Sequence, residues 1–295
     1  MAITRHLAHF ILKEHAFRPI SGTTLLLGRQ VVFMTPDQAQ ALVEAAGFAI
    51  RAGATIEYDK NEYGRAQHFI SDASFFSLFS DSEVLACDVS SAEQPDLVFD
   101  LSDTLPPGLS GRFNFIYNGS VLDNVFDPAA CMRNITRMLT ATGVVLHYEG
   151  AAHASPAYLK FTPDWFFDYY ALNGFNDCQA YVGTFDDVHQ SPWNVLGWDA
   201  FYADGGQQRL TYPIRTSSDA MVLAIAEKCP GASDGRTPIQ GVYRGGHDDY
   251  LPAFERYRLS ARRHACCVDA AVMPADGKVP PGYRPVGLVG GQARS

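Results

Sequence analysis

Hydrophobic runs between residues 83 and 150 each end on a polar residue, and one amphipathic segment lies before the last of them. Short apolar runs of this kind, rich in valine, leucine and phenylalanine, are typical of buried strands. The amphipathic segment begins at Asp127-Pro128, an aspartate cap followed by proline, and it stops at Gly143. The pattern therefore predicts a helix over 128–142 and strands at 83–88, 96–100, 113–118 and 144–147.

The rest of the chain extends this pattern on both sides. It predicts further strands at 23–27, 178–185 and 194–202, helices starting at Thr35, Ser71 and Thr162 and over 250–267, and an undecided strand or short helix at 221–226. These elements indicate an α/β fold, with a Rossmann-like, mostly parallel sheet, helices on both faces and antiparallel strands at the C-terminal edge. We predict one domain over 1–272 with a polar lid or insertion near 50–70, and a loose tail over 273–295.

Composition narrows the possible partners. The 295-residue chain is 47% hydrophobic and 19% charged, which is ordinary for a folded domain. A net charge of −9 argues against a nucleic-acid partner, since such binding depends on lysine and arginine. No run approaches the ~20 apolar residues of a membrane span, and the six cysteines include no CxxC pair. We expect reduced thiols, a cytoplasmic location and no membrane partner.

The polar residues that follow the strands point to a ligand site, because ligands of open parallel sheets lie at the carboxyl ends of the strands. One strand ends at Gly28, the next at Asp88, and later ones at Asp100-Leu101 and Asn118-Gly119. With the helix that stops at Gly143, this order resembles a class I S-adenosylmethionine-dependent methyltransferase over about residues 20–185. The run 117–128 is similar to a segment of uncharacterised methyltransferases associated with polysaccharide or secondary-metabolite pathways.

The resemblance implies a role for each of these residues. Gly28 would let the backbone approach the methionine moiety, and Asp88 would accept hydrogen bonds from the ribose hydroxyls. Asp100 would accept from the adenine amino group while the N–H of Leu101 faces a ring nitrogen. Asn118 and Gly119 lie where the fourth strand of the family meets the cofactor. For each, a plain turn or capping role is the alternative.

The chain departs from the family after its first strand. The expected Gly-x-Gly-x-Gly loop is replaced by Gly28-Arg29-Gln30-Val31, and Asp88 lies sixty positions after Gly28. An insertion must fill that gap, and its polar segment around Asp59 is expected to fold over the cofactor. Either Arg29 or Gln30 holds the methionine carboxylate in a remodelled loop, or cofactor binding has been lost.

For the chemistry, His147 is the leading candidate base, with a buried structural histidine as the alternative. Asp123, with Asn124, is expected to line the acceptor pocket or to cap a local turn. His247-Asp248-Asp249 lack further ligands at metal spacing, so no metal is expected. We expect an enzyme that methylates an oxygen of a small polar acceptor, such as a sugar or glycan precursor, and a homodimer is left open.

Two other functions compete with this one. A non-catalytic cofactor-binding or scaffold protein would keep the fold without turnover. A nicotinamide-dependent oxidoreductase would require the Gly-x-Gly-x-x-Gly fingerprint, which is missing from the chain.

Overall fold

The computed structural model describes residues 2–152, 157–199, 202–204, 207–209, 218–240, 250–265 and 282–289. The helices in these ranges are α1 (Arg5–Phe17), α2 (Pro36–Ala45), α3 (Glu62–Ala66), α4 (Asp72–Ser77), α5 (Pro128–Met138), α6 (Pro163–Leu172), α7 (Leu251–Arg258) and α8 (Arg262–Ala265). The strands are β1 (Ala2–Ile3), β2 (Thr23–Leu27), β3 (Val31–Val32), β4 (Glu83–Asp88), β5 (Leu97–Val98), β6 (Phe113–Gly119), β7 (Leu139–Gly150), β8 (Asp177–Phe185), β9 (Trp193–Trp198), β10 (Tyr202–Asp204), β11 (Gln207–Arg209), β12 (Asp219–Glu227) and β13 (Tyr283–Val289). None of these helices is long and apolar enough to cross a bilayer.

Nine of the described strands form one mixed sheet in the order β13-β9-β8-β12-β7-β6-β2-β4-β5. The strands from β7 to β5 in this order run parallel, and every pairing from β7 to β13 is antiparallel. From β2 the chain passes to β4 on one side and later returns to β6 on the other. The strand order therefore reverses between β2 and β6, which is the topological switch point.

Alternate side chains of the central strands pack on opposite faces of the sheet. Leu26 and Ala86 lie in one core with residues of α1, α2 and α4. Leu25, Leu27 and Cys87 lie in a second core with residues of α5, α6 and α7. The α/β class, the parallel strands with helices on both faces and the antiparallel C-terminal strands are as predicted, and the antiparallel strands make the sheet as a whole mixed.

Local capping signals located the helix starts correctly. Thr35 and Gln38 form a capping box at the start of α2, in which the Thr35 hydroxyl accepts from the Gln38 N–H at 3.4 Å. The side chains of Ser71 and Asp127 cap α4 and α5. A cap involves residues about three positions apart in the chain. Its prediction therefore does not depend on tertiary packing.

The prediction is wrong where α5 ends. The helix stops at Met138, and Gly143 lies inside β7 instead of ending the helix. Thr140 and Thr142 are β-branched, which favours a strand. A Cβ at Gly143 would stand 2.9 Å from the carbonyl oxygen of Phe113, so glycine permits the close approach of β7 to β6 where their register shifts.

Other predicted bounds also need correction. The second strand, predicted over 96–100, is limited to β5, because the chain turns where the Asp100 carboxylate accepts hydrogen bonds from Ser102. The predicted helix over 250–267 is divided into α7 and α8 by a turn in which Ser260 binds Asp177. The run at 221–226 is part of β12. The predicted loose tail is wrong for β13, which pairs with β9 at the sheet edge.

Candidate functional site

The carboxyl ends of β2, β4 and β6 lie level with one another. Leu27 of β2 pairs with Cys87 of β4 on one side and with Asn118 of β6 on the other. Neighbouring strands are about 4.8 Å apart, so the next residue of each strand reaches the same edge of the sheet beside the switch point. These residues are Gly28, Asp88 and Gly119.

Gly28 adopts a conformation that favours glycine. Its φ is +73°, in the left-handed region, and its N–H donates to the carbonyl oxygen of Cys87 at 2.7 Å. Instead of entering a helix, the chain then forms β3, where Val31 and Val32 pair with β1. A helix begins only at Pro36. The remodelled loop expected after the first strand is therefore a turn followed by a short strand.

Arg29 is held by carboxylates of the chain itself. Its guanidinium donates to Asp72 at 3.3 Å, to Asp96 at 2.9 Å and to the carbonyl oxygen of Gln94 at 3.3 Å. Burial raises the pKa of Asp72, and the Arg29 charge opposes that rise. The Arg29 charge is therefore paired with two carboxylates of the chain, and the role predicted for Arg29 toward a ligand carboxylate remains a prediction.

Gln30 is buried, with 2% of its surface exposed. Its backbone N–H donates to Asp72 at 3.0 Å, and its side-chain Nε2 donates to the carbonyl oxygens of Leu27 at 2.9 Å and Gly28 at 3.0 Å. Oε1 has no hydrogen-bond partner among the described residues. A Cβ on Gly119 would collide with this oxygen, so the end of the Gln30 side chain lies on the Gly119 backbone.

Asp88 is the last residue of β4, Asp100 follows β5, and both are partly accessible. Asp88 accepts a hydrogen bond from the N–H of Ser90 at 2.9 Å. Asp100 accepts from the hydroxyl and the N–H of Ser102, at 2.6 and 2.8 Å, and these bonds lower the pKa of Asp100. Leu101 is 7% exposed and packs in the core that contains α5. Both carboxylates therefore lie at the predicted edge in local turns.

Asn118 and His147 form a buried network beneath this edge. Asn118 Nδ2 donates to Glu149 at 2.7 Å and lies 2.9 Å from His147 Nδ1, while His147 Nε2 lies 2.6 Å from the hydroxyl of Tyr170. Since the amide donates to Nδ1, the imidazole proton is on Nε2. Burial lowers the pKa of His147 to about 3.

His147 is fully buried, and both of its ring nitrogens are engaged. An imidazole in this state is neutral, and neither of its nitrogens is available to a methyl-acceptor substrate. The geometry therefore favours a structural role for His147 over the predicted role as a base. Asn118 likewise uses its side chain inside the protein, since its Oδ1 accepts from the N–H of Val121 at 3.2 Å. The Asn118 side chain is therefore fully used by the fold.

Glu149 organises the loop after β6, a role that the sequence analysis did not assign. Its carboxylate accepts from Asn118 and from the N–H groups of Leu122 and Asp123, at 2.7, 3.0 and 3.2 Å. Burial raises the pKa of Glu149, and the neighbouring Asp123 adds to the rise. A glutamate that ends an apolar strand was the only signal of it in the sequence.

Asp123 closes the same loop. It is 4% exposed; one carboxylate oxygen accepts from the Ser120 hydroxyl at 2.8 Å and the other from the Asn124 amide at 2.6 Å. Ser120 has a φ of +66°, which is strained for a residue other than glycine. The local helical turn over residues 122–124 has no side-chain cap, so Asp123 holds neighbouring side chains instead of capping that turn, and its role toward an acceptor remains a prediction.

A polar cavity of about 170 Å³ lies beside Arg29 and Gln30. Residues of the predicted lid, including Asp59 and Asn61, line it together with Asp72 of α4. The insertion therefore packs against the turn that follows β2. Within the described part of the chain, no three histidine, cysteine, aspartate or glutamate side chains are grouped to hold a metal ion. His247-Asp248-Asp249 lie outside the described residues.

Comparisons with known proteins give distant similarities. No protein-family model matches the chain, and no curated protein matches it. The chain is similar to a Burkholderia thailandensis structure, 1,6-didemethyltoxoflavin-N1-methyltransferase with bound 1,6-didemethyltoxoflavin and S-adenosylhomocysteine. That match has 13% identity and a TM-score of 0.35 and covers 76% of this chain and 78% of that one. A SAM-dependent methyltransferase from Archaeoglobus fulgidus matches with 8% identity and a TM-score of 0.39, covering 76% of this chain and 95% of that one. At such identities and scores, neither similarity assigns this chain to a family.

Proposed function

We propose that the chain is an S-adenosylmethionine-dependent methyltransferase that holds its cofactor at the carboxyl edge of β2, β4 and β6. The observation that carries the proposal is the strand order with its register, which brings Gly28, Asp88 and Gly119 to one level beside the switch point. Ligands of open α/β sheets bind at this location.

The residues at this edge fit an adenosyl group with an amino-acid tail. Gly28 permits close approach of the ligand to the backbone. We assign the ribose hydroxyls to Asp88 and the adenine ring to Asp100 and the N–H of Leu101, as the sequence resemblance implies. The buried Oε1 of Gln30 is an acceptor without a donor at the same edge, which a donor on the ligand would satisfy.

S-adenosylmethionine supplies a methyl group on an activated leaving group, so the protein has mainly to align the acceptor, which contributes up to ~7–11 kcal/mol. We propose an oxygen acceptor on a small polar molecule such as a sugar or glycan precursor. Asp123, which follows β6 at this edge, is the carboxylate assigned to the acceptor side. Each of its carboxylate oxygens already accepts one hydrogen bond, from Ser120 or from Asn124, and keeps a second lone pair for an acceptor hydroxyl. We assign His147 a structural role in the buried network with Asn118 and Tyr170 instead of the role of a base.

The direct test is calorimetric titration of the full chain with S-adenosylhomocysteine. Asp88→Ala should weaken the affinity about tenfold, because it removes a hydrogen bond to the ribose. Asp81→Ala is the matched control, since Asp81 is exposed and precedes the opposite end of β4. Saturable binding to the wild type supports the proposal, and unchanged affinity in Asp88→Ala contradicts the assignment of Asp88.

A binding protein without turnover is the second candidate. The bonded ring nitrogens of His147 favour it, because His147 was expected to act as the base and is used by the fold instead. Incubation with S-adenosylmethionine and a panel of sugar and phenol acceptors separates the two. Formation of S-adenosylhomocysteine that depends on an acceptor identifies the enzyme, whereas tight binding without formation of product identifies the binding protein.

A further inference from the structure

The amide of Gln30 has a fixed orientation that leaves its oxygen unsatisfied. Nε2 donates to two carbonyl oxygens, those of Leu27 and Gly28, at 2.9 and 3.0 Å. Reversing the amide would place Oε1 against both carbonyl oxygens, so the observed orientation is the only one with favourable contacts. The result is a buried acceptor with no donor among the described residues. Such atoms are rare in folded proteins and require an explanation.

This oxygen lies at the proposed cofactor edge. It is in contact with the backbone of Gly119, where an added Cβ would meet both Oε1 and the ring of Tyr117. It therefore lies between the carboxyl ends of β2 and β6, beside the switch point. The two carbonyl oxygens at the end of β2 are occupied by Nε2. Of the acceptors in this group, Oε1 is the one left without a donor.

We infer that Gln30 Oε1 accepts a hydrogen bond from an amino group of the bound ligand, which under the proposed function is the α-amino group of the cofactor. An ammonium group carries donors and no acceptor, so it matches an atom that only accepts. The sequence suggested that Gln30 holds the ligand carboxylate. Its Nε2 is not available for that role, because both of its hydrogens already donate to carbonyl oxygens.

The neighbouring charges have the sign that this inference needs. The backbone N–H of Gln30 donates to Asp72, and Asp72 and Asp96 share the single guanidinium of Arg29. Two carboxylates against one cation leave an excess negative charge beside the amide. That excess attracts an ammonium group and repels a carboxylate.

The test compares two ligands by calorimetry on the full chain: S-adenosylhomocysteine and its deaminated analogue, which lacks only the α-amino group. The wild type should bind the analogue at least about tenfold more weakly. Gln30→Met, which has similar length and no acceptor, should bind S-adenosylhomocysteine about tenfold more weakly and lose the discrimination. Gln67→Met is the control, because Gln67 is exposed at the end of α3.

Equal affinity of the wild type for the two ligands would overturn the inference, and this comparison needs no variant to fold. Tighter binding of both ligands by Gln30→Met would also overturn it, since the side chain would then be only an obstruction over Gly119. If S-adenosylhomocysteine does not bind the wild type at all, the proposed function itself fails. The two failures are therefore distinguishable.

Discussion

Arg262 is a buried arginine that joins α8 to the first helix of the chain. Its Nε and Nη2 each lie 3.0 Å from a carboxylate oxygen of Glu14, which makes a bidentate ion pair. Its Nη1 lies 2.9 Å from Asp177. Nη2 also donates to Glu227 at 2.8 Å. The side chains of Arg262 and Glu14 are each 1% exposed. Water therefore contributes little to the solvation of this pair, so each charge depends on the other.

Replacing Arg262 with methionine keeps much of its apolar length and removes its charge. Burial already raises the pKa of Glu14, and Arg262 is the first cause that opposes the rise. Without the arginine, the Glu14 carboxylate is left buried with no cation beside it. Breaking a buried pair in this way costs about 3–5 kcal/mol. We expect the free energy of unfolding to fall by that amount, with the melting temperature lower by roughly 10 °C.

Urea unfolding near pH 7, followed by circular dichroism, measures the loss. Arg258→Met is the matched control: Arg258 pairs with Glu255 at the surface, and both side chains are 55% exposed, so its removal should cost less than about 1 kcal/mol. Adding Glu14→Gln to Arg262→Met should recover a large part of the loss, because the buried charge is then removed. Equal stability of Arg262→Met and the wild type would refute the reasoning.

The pH dependence has a definite sign. In Arg262→Met the pKa of Glu14 in the folded state is further above its unfolded value, so the folded state binds more protons. Stability of the variant should therefore rise as the pH is lowered from roughly 7 toward 5, and the deficit relative to the wild type should shrink. A deficit that grows over this range would show that the Glu14 charge is not its source.

Three further substitutions test the site and its supports. His147→Ala should lower the free energy of unfolding by roughly 2–4 kcal/mol, because it leaves a cavity and removes the hydrogen bonds of the ring to Asn118 and Tyr170, while affinity for S-adenosylhomocysteine stays unchanged in calorimetry. Unaltered stability would instead favour a role at the acceptor. Gly28→Ala should cost about 1–2 kcal/mol in thermal unfolding, since φ is +73°. Gln94→Gly relieves a φ of +51° and should raise the melting temperature, whereas a lower one would contradict the strain.

The sheet edge could be predicted from the sequence because each strand carries its own signal. Apolar runs closed by Asp88 and Asn118 give the strand ends, and a sheet of such strands aligns those ends at one edge. The register of β2 with β4 and β6 agrees with that prediction. The capping residues of α2, α4 and α5 were found for the same reason, since a cap is decided within one helical turn.

The chemistry of individual side chains could not be predicted, because their partners come from distant parts of the chain. Arg29 was predicted to hold the methionine carboxylate. Its guanidinium instead donates to Asp72 and Asp96, which lie 43 and 67 positions further along the chain. His147 was predicted to be a base, yet its Nε2 is bonded to the hydroxyl of Tyr170, which lies 23 positions away on α6. The sequence shows which groups reach an edge, whereas their charge and access depend on contacts that the pattern does not encode.

The remodelled turn after β2 also decides between cofactor classes. A pyrophosphate needs backbone N–H groups at a glycine-rich turn that opens a helix. Here α2 begins only at Pro36, and Thr35 and Gln38 satisfy N–H groups at its start themselves. S-adenosylmethionine has no phosphate and does not need such a site. We therefore expect saturable binding of S-adenosylhomocysteine and none of NADH in parallel titrations. Comparable binding of NADH would mean that the edge recognises nucleotides by another set of contacts and would return the oxidoreductase alternative to first place.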